Sequence, residues 1–184
     1  MALILRGNGV VEGLTDLPAG SVTAADLASG AITSSALPAG SVLQAIQTTK
    51  TDNFTTTSTS FIDVTGLSIS ITPSSTSSKI LVMADISAGS SLNGYSIYNL
   101  VRESTNIYQG TDTKTYVGSH IEYSNSSSHM GTLNMCYLDS PATTSSTTYK
   151  IQMRVTSGTG AVNRRSGSDD TSVASSITVM EVAG

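Results

Sequence analysis

Apolar and polar residues alternate with a period of two along most of this chain, and that alternation decides what it can fold into. Leu67, Ile69 and Ile71 alternate with Ser68, Ser70 and Thr72, and Tyr149, Ile151, Met153 and Val155 alternate with Lys150, Gln152 and Arg154. Successive side chains of a strand point to opposite faces, so each run reads as a strand with one buried and one wet face. Ile80-Leu81-Val82-Met83-Ala84-Asp85-Ile86 is apolar at both parities and reads as a central strand, and Ile177–Val182 closes the chain with another. Further strands are expected near 42–49, 51–56, 59–64, 95–102, 114–123 and 130–138. The turns between them are rich in Ser, Thr, Gly and Asn, as in Pro73-Ser74-Ser75-Thr76-Ser77-Ser78. Eight to ten short strands predict an all-β fold, an antiparallel jelly-roll-like β-sandwich. No segment has helical periodicity, although a short helical turn fits around Ala24–Ser29.

Composition narrows the function classes. Charged residues are 12% of the 184 positions, and Ser and Thr fill roughly a third of the chain. Net charge is −4, and Arg164-Arg165 is the one adjacent basic pair, so no basic stripe exists for nucleic acid. No run approaches the ~20 apolar residues of a membrane helix. The first residues lack a basic start followed by a long apolar core, so the expectation is a protein made and assembled in a cytoplasm without a Sec signal. Cys136 is the sole cysteine, which excludes an intrachain disulfide; within Leu133–Leu138 it reads as a small apolar strand residue.

The first forty residues follow a different rule. Leu17-Pro18-Ala19-Gly20-Ser21-Val22 reappears as Leu37-Pro38-Ala39-Gly40-Ser41-Val42, with Leu27-Ala28-Ser29-Gly30-Ala31-Ile32 between them. Three units thus fall at a spacing of ten, each with two apolar anchors five residues apart. So few anchors per unit do not offset the entropy of ordering ten residues. Residues 1–40 are therefore expected to be an extended arm that uses Leu17, Val22, Leu27, Ile32, Leu37 and Val42 to hold a neighbour, either another copy or another protein of an assembly. Residues 41–184 are the β head.

Chemistry-bearing motifs are scarce. His120 and Glu122 are two apart on an expected strand and share a face, but no further ligand spacing accompanies them. Asp169-Asp170 lacks the regular oxygen spacing of a calcium loop. Gly7-Asn8-Gly9 is not followed by the Lys-Ser/Thr of a phosphate loop, and no Gly-x-Ser-x-Gly elbow occurs. The reading is a non-enzyme with no catalytic residues, cofactor or metal.

Two longer stretches carry a resemblance. Gln44–Asp52, then Thr57-Ser58-Thr59-Ser60-Phe61-Ile62-Asp63-Val64-Thr65-Gly66-Leu67-Ser68-Ile69-Ser70-Ile71-Thr72-Pro73, resembles a domain common in virion proteins of cyanophages and other marine tailed phages. Ser77–Val82, Leu100–Arg102, Thr105–Ile107 and Val179–Val182 extend it, and the Leu-Pro-x-Gly-Ser-Val repeats look like the arms that precede that domain. The resemblance covers most of the chain and implies a tail-fibre, head-fibre or capsid-decoration (cement) protein. It also implies a homotrimer of jelly-roll-like heads at the virion surface, with arms docked on major capsid or tail proteins. The shared segments read as framework, so the resemblance assigns no functional residue. The alternative is a carbohydrate-binding module that recognises a host surface glycan. Tyr95, Tyr98, Tyr108, Tyr116 and Tyr123 fall close together in sequence and could line a stacking patch, against the plainer role of strand and interface filler.

Overall fold

The computed structural model describes residues 4–5, 11–12, 37–91, 94–126, 129–167 and 170–184. It divides into two compact units, Met1–Leu37 and Pro38–Gly184. In the first, β1 (Ile4–Leu5) and β2 (Val11–Glu12) pair antiparallel, with Ile4 opposite Glu12 and Leu5 opposite Val11. The possible helical turn at 24–29 lies outside the described residues.

The second unit is all-β and folds as two antiparallel sheets packed face to face. Its strands are β3 (Val42–Lys50), β4 (Phe54–Thr56), β5 (Ile62–Ile71), β6 (Lys79–Ser90), β7 (Gly94–Arg102), β8 (Thr105–Tyr108), β9 (His120–Ser124), β10 (Gly131–Asp139), β11 (Thr147–Val155), β12 (Gly160–Val162) and β13 (Ser175–Val182). Registers reduce these eleven strands to eight lanes. Val82 pairs with both Tyr137 and Val179, while Ala88 pairs with both Gly131 and Val162, so β13 and β12 share the edge of β6 opposite β10. On their far side β3 pairs with β13 and β4 with β12. Likewise β8 and β9 share the edge of β7 opposite β11. Numbered in chain order, the lanes are β3/β4, β5, β6, β7, β8/β9, β10, β11 and β12/β13. One sheet then runs 1-8-3-6 and the other 2-7-4-5.

A polar pin joins the two broken lanes of the first sheet. Asn163, at φ 66°, lies just beyond β12, and its amide nitrogen donates to the carbonyls of Lys50 and Asp52, both at 2.9 Å. Ser175 donates to the Asn163 Oδ1 at 2.6 Å, and the Ser175 hydroxyl accepts from the Ser87 amide at 3.0 Å. The backbone groups that both interruptions would leave bare are thereby paired. Asn tolerates the left-handed conformation better than a branched residue does.

The core lies between the sheets and follows the alternation. Ile80, Val82, Ala84, Ile86 and Ala88 of β6 point inward against Leu67, Ile69 and Ile71 of β5 and Tyr149, Ile151, Met153 and Val155 of β11. The strand at 80–86 is central, as its two apolar faces indicate. The expected strands 59–64 and 67–72 form one strand instead, because a bulge spans the gap. Ser68 faces Lys150 and Asp63 faces Gln152, so four β5 residues lie opposite Ile151 alone. Gly66 sits in that bulge at φ 85°, where a side chain is strained. Residues 114–119 are not strand: β9 begins at His120, and Ser119 instead fills the break between β8 and β9. Its amide donates to the Tyr98 carbonyl at 2.7 Å, and its hydroxyl accepts from the Leu100 amide at 2.8 Å.

Candidate functional site

Most carboxylates of the β unit are engaged in holding it together. Glu181 is 1% exposed, and its Oε1 accepts from the Ser74 amide, the Ser74 hydroxyl and the Ser78 hydroxyl, each at 2.7 Å. Its Oε2 accepts from Gln44 Nε2 at 2.6 Å. Burial alone would raise its pKa, but the donors from Gln44, Ser74 and Ser78 outweigh burial and hold it below the ordinary value. Asp139 at the end of β10 accepts from Arg102 Nη1 at 2.9 and 2.7 Å and from the Tyr149 hydroxyl at 2.7 Å, which clamps one sheet to the other. Burial and the Asp139 charge push the Tyr149 hydroxyl well above its ordinary value. Lys50 is buried, with its Nζ 2.8 Å from Asp52, and it holds the Asp52 carboxyl below the usual range. Lys150 and Gln152 both donate to Asp63 at 2.8 Å, and Lys150 chiefly keeps that carboxyl low.

Glu122, which shares a face of β9 with His120, has His129 as its ion-pair partner, with Nε2 3.0 Å away. Among the described residues no three His, Cys, Asp or Glu side chains gather as metal ligands. Asp170 pairs with Arg165, while Asp169 and the Gly7-Asn8-Gly9 segment lie outside the described residues. Among the described residues, two of the surface depressions are shallow and polar. One, of about 180 Å³, is lined by Gln47, Thr49, Asp85, Ala174, Ser175 and Ser176, and the other, of about 410 Å³, by Thr55, Thr56, Thr57 and Thr159. The first offers a single carboxylate among amide and hydroxyl groups, the second only hydroxyls. Neither has the paired base and nucleophile of a hydrolytic centre.

Three of the five singled-out tyrosines come together. Tyr95 of β7 lies with its ring centroid 4.5 Å from Tyr116 and 4.8 Å from Tyr123, tilted by 30° and 40°. Tyr116 and Tyr123 remain 39% and 48% exposed. Tyr98 points the other way, into the core, where its hydroxyl donates to the Ala161 carbonyl at 3.4 Å. Tyr108 stacks on Tyr137 at 5.3 Å.

The outer faces of the two sheets differ. On the 2-7-4-5 sheet, Lys150–Asp63, Gln152–Asp63 and the Ser70–Thr148 hydroxyl pair join neighbouring strands. On the 1-8-3-6 sheet, Ala45, Met180, Leu81 and Leu138 stand in register across all four lanes. Met83 and Cys136 stand side by side in the next row, whose other two lanes hold Thr178 and Gln47, with Gln47 Nε2 donating to the Thr178 hydroxyl at 2.9 Å, and Leu138 is 47% exposed. The members of this apolar row belong to four separate strands, and the one sign of it in the sequence was that 80–86 is apolar at both parities.

Of the arm residues, Leu37 is 38% exposed and Val42, in β3, is 57% exposed. Leu17, Val22, Leu27 and Ile32 lie outside the described residues. No protein-family model matches the chain, and no curated protein matches it either.

Proposed function

We propose that this chain is a non-enzymatic structural protein of a tailed-phage virion surface, a tail fibre or a capsid decoration. It works as a homo-oligomer, expected to be a trimer, whose N-terminal arm docks on major capsid or tail proteins while the β head faces outward. The observation that carries the reading is the lane order 1-8-3-6 over 2-7-4-5. That order is the one two interleaved Greek keys give, which supports reading the β unit as a jelly roll, an architecture that recurs in viral capsid domains. Fold by itself does not assign function. The reading therefore also rests on the phage-like segments at 44–52 and 57–73 and on carboxylates committed to structural contacts.

A second reading, recognition of a host surface glycan by the head, is favoured by the exposed Tyr95–Tyr116–Tyr123 cluster. Sedimentation of the full chain tests the first reading. A species of about 57 kDa, three times the 18.9 kDa chain, or a multiple of it supports the reading, and a monomer at all concentrations contradicts it. A glycan array separates the second: binding that Tyr116→Ala and Tyr123→Ala abolish supports it.

A further inference from the structure

The outer face of β6 carries Lys79, Leu81, Met83 and Asp85 in succession, because Ile80, Val82 and Ala84 turn inward. Read along the strand, the order is a cation, two apolar side chains and an anion. Such a series is complementary to itself reversed. Laid antiparallel on a second copy, Lys79 meets Asp85 at both ends, and Leu81 meets Met83 twice in the middle. Neither Lys79 nor Asp85 has an ion-pair partner among the described residues.

We propose that this face is where a second copy docks, sheet against sheet, about a two-fold axis that runs across the strands between the Leu81 and Met83 rows. The proposal rests on the reading of the chain as an assembly subunit and names the surface that reading leaves open. Such an axis places each lane over its own counterpart, so the apolar row ending in Leu138 covers the neighbouring row that contains Cys136. Four lanes ~4.8 Å apart and seven residues at ~3.3 Å give a face of roughly 450 Å² in projection. Side chains standing off the sheet raise the accessible area above that figure. The pair therefore buries close to the ~1,000 Å² that marks a specific contact, which suits one contact among several in an assembly. Being isologous, it joins copies in twos, and a three-fold assembly that uses it holds six.

The geometry sets the test. Sheets packed ~10 Å apart, with the two Cys136 rows displaced by about two residues, put the paired Cα atoms on the order of 12 Å apart. Each chain has one thiol, so a bis-maleimide of that span joins chains only in pairs. The full-length protein should cross-link toward completion, whereas thiols gathered around a three-fold axis would stop at about two thirds of the chains. Leu138→Asp, at a half-exposed position, and Lys79→Asp should each lower the dimer yield at least tenfold, and Lys79→Asp with Asp85→Lys should restore it. Circular dichroism of each variant verifies folding. An oligomer by sedimentation that gives no cross-linked dimer, a yield that stops at two thirds, or cross-linking that survives Lys79→Asp overturns this contact and leaves the oligomeric reading standing. A monomer by sedimentation overturns both.

Discussion

Glu181 offers the sharpest energetic test of how the β unit is held together. Replacing it with Gln keeps the volume and removes the charge. Hydrogen bonds to a charged acceptor contribute about 2 kcal/mol against about 1 for neutral pairs, so the three donors on Oε1 each lose about 1 kcal/mol. The new amide also presents a donor to the Gln44 Nε2 donor. Gln44 does not turn round freely, because that same nitrogen donates to the Thr72 carbonyl at 2.8 Å. Burying an amide instead of a carboxylate offsets about 2 kcal/mol of these losses. The net expectation is a destabilisation of about 3 kcal/mol at pH 7, or a fall of about 10 °C in Tm. The pH dependence has a definite sign. The folded pKa of Glu181 lies below the ordinary value of 4.5. Its contribution is therefore complete above that ordinary value and disappears as pH falls through the folded pKa. Urea unfolding of both proteins from pH 7 to pH 2.5 should show the difference shrink toward the acid end. A difference below 1 kcal/mol at pH 7, or one that does not change with pH, would refute the reasoning.

Four further substitutions probe three separate parts of the framework. Asp139→Ala strands Arg102 and the Tyr149 hydroxyl between the sheets and should cost about 3 kcal/mol in chemical unfolding; Tyr149→Phe should cost about 1. Gly66→Ala meets the Lys50 Cγ at an ordinary 3.4 Å, so its expected cost of about 1–2 kcal/mol comes from the backbone at φ 85°. Asn99 is fully buried in β7 with neither side-chain polar atom hydrogen-bonded among the described residues, so Asn99→Leu should raise stability by about 1 kcal/mol, read as a higher Tm.

Parity explains what the sequence disclosed and what it hid. The alternating runs at 67–72 and 149–155 became strands because a single buried face dictates their register, whereas 80–86 was readable from its apolar residues at both parities. The short strands β8 and β12 carry too few residues for a pattern to emerge. The bulge at Gly66 breaks the alternation once, and so one strand looked like two. Glu181 and Asp139 were readable in part: each shares its parity with inward residues, Ile177 and Val179 in one strand and Leu133 and Met135 in the other. A charge at an inward position announces a partner without naming it. Ser74 and Gln44 lie 107 and 137 residues away from Glu181. Parity also sorts the tyrosines, since Tyr95 and Tyr98 are three apart and must face opposite ways.

The proposal that this chain serves as a repeated building block of a phage particle is tested most directly by quantitative mass spectrometry of purified particles of a tailed phage whose genome carries this sequence. The account predicts that the chain stays with the particles through density-gradient purification, at a fixed copy number divisible by three. Its absence from particles, alongside its presence in infected cells, would contradict the claim.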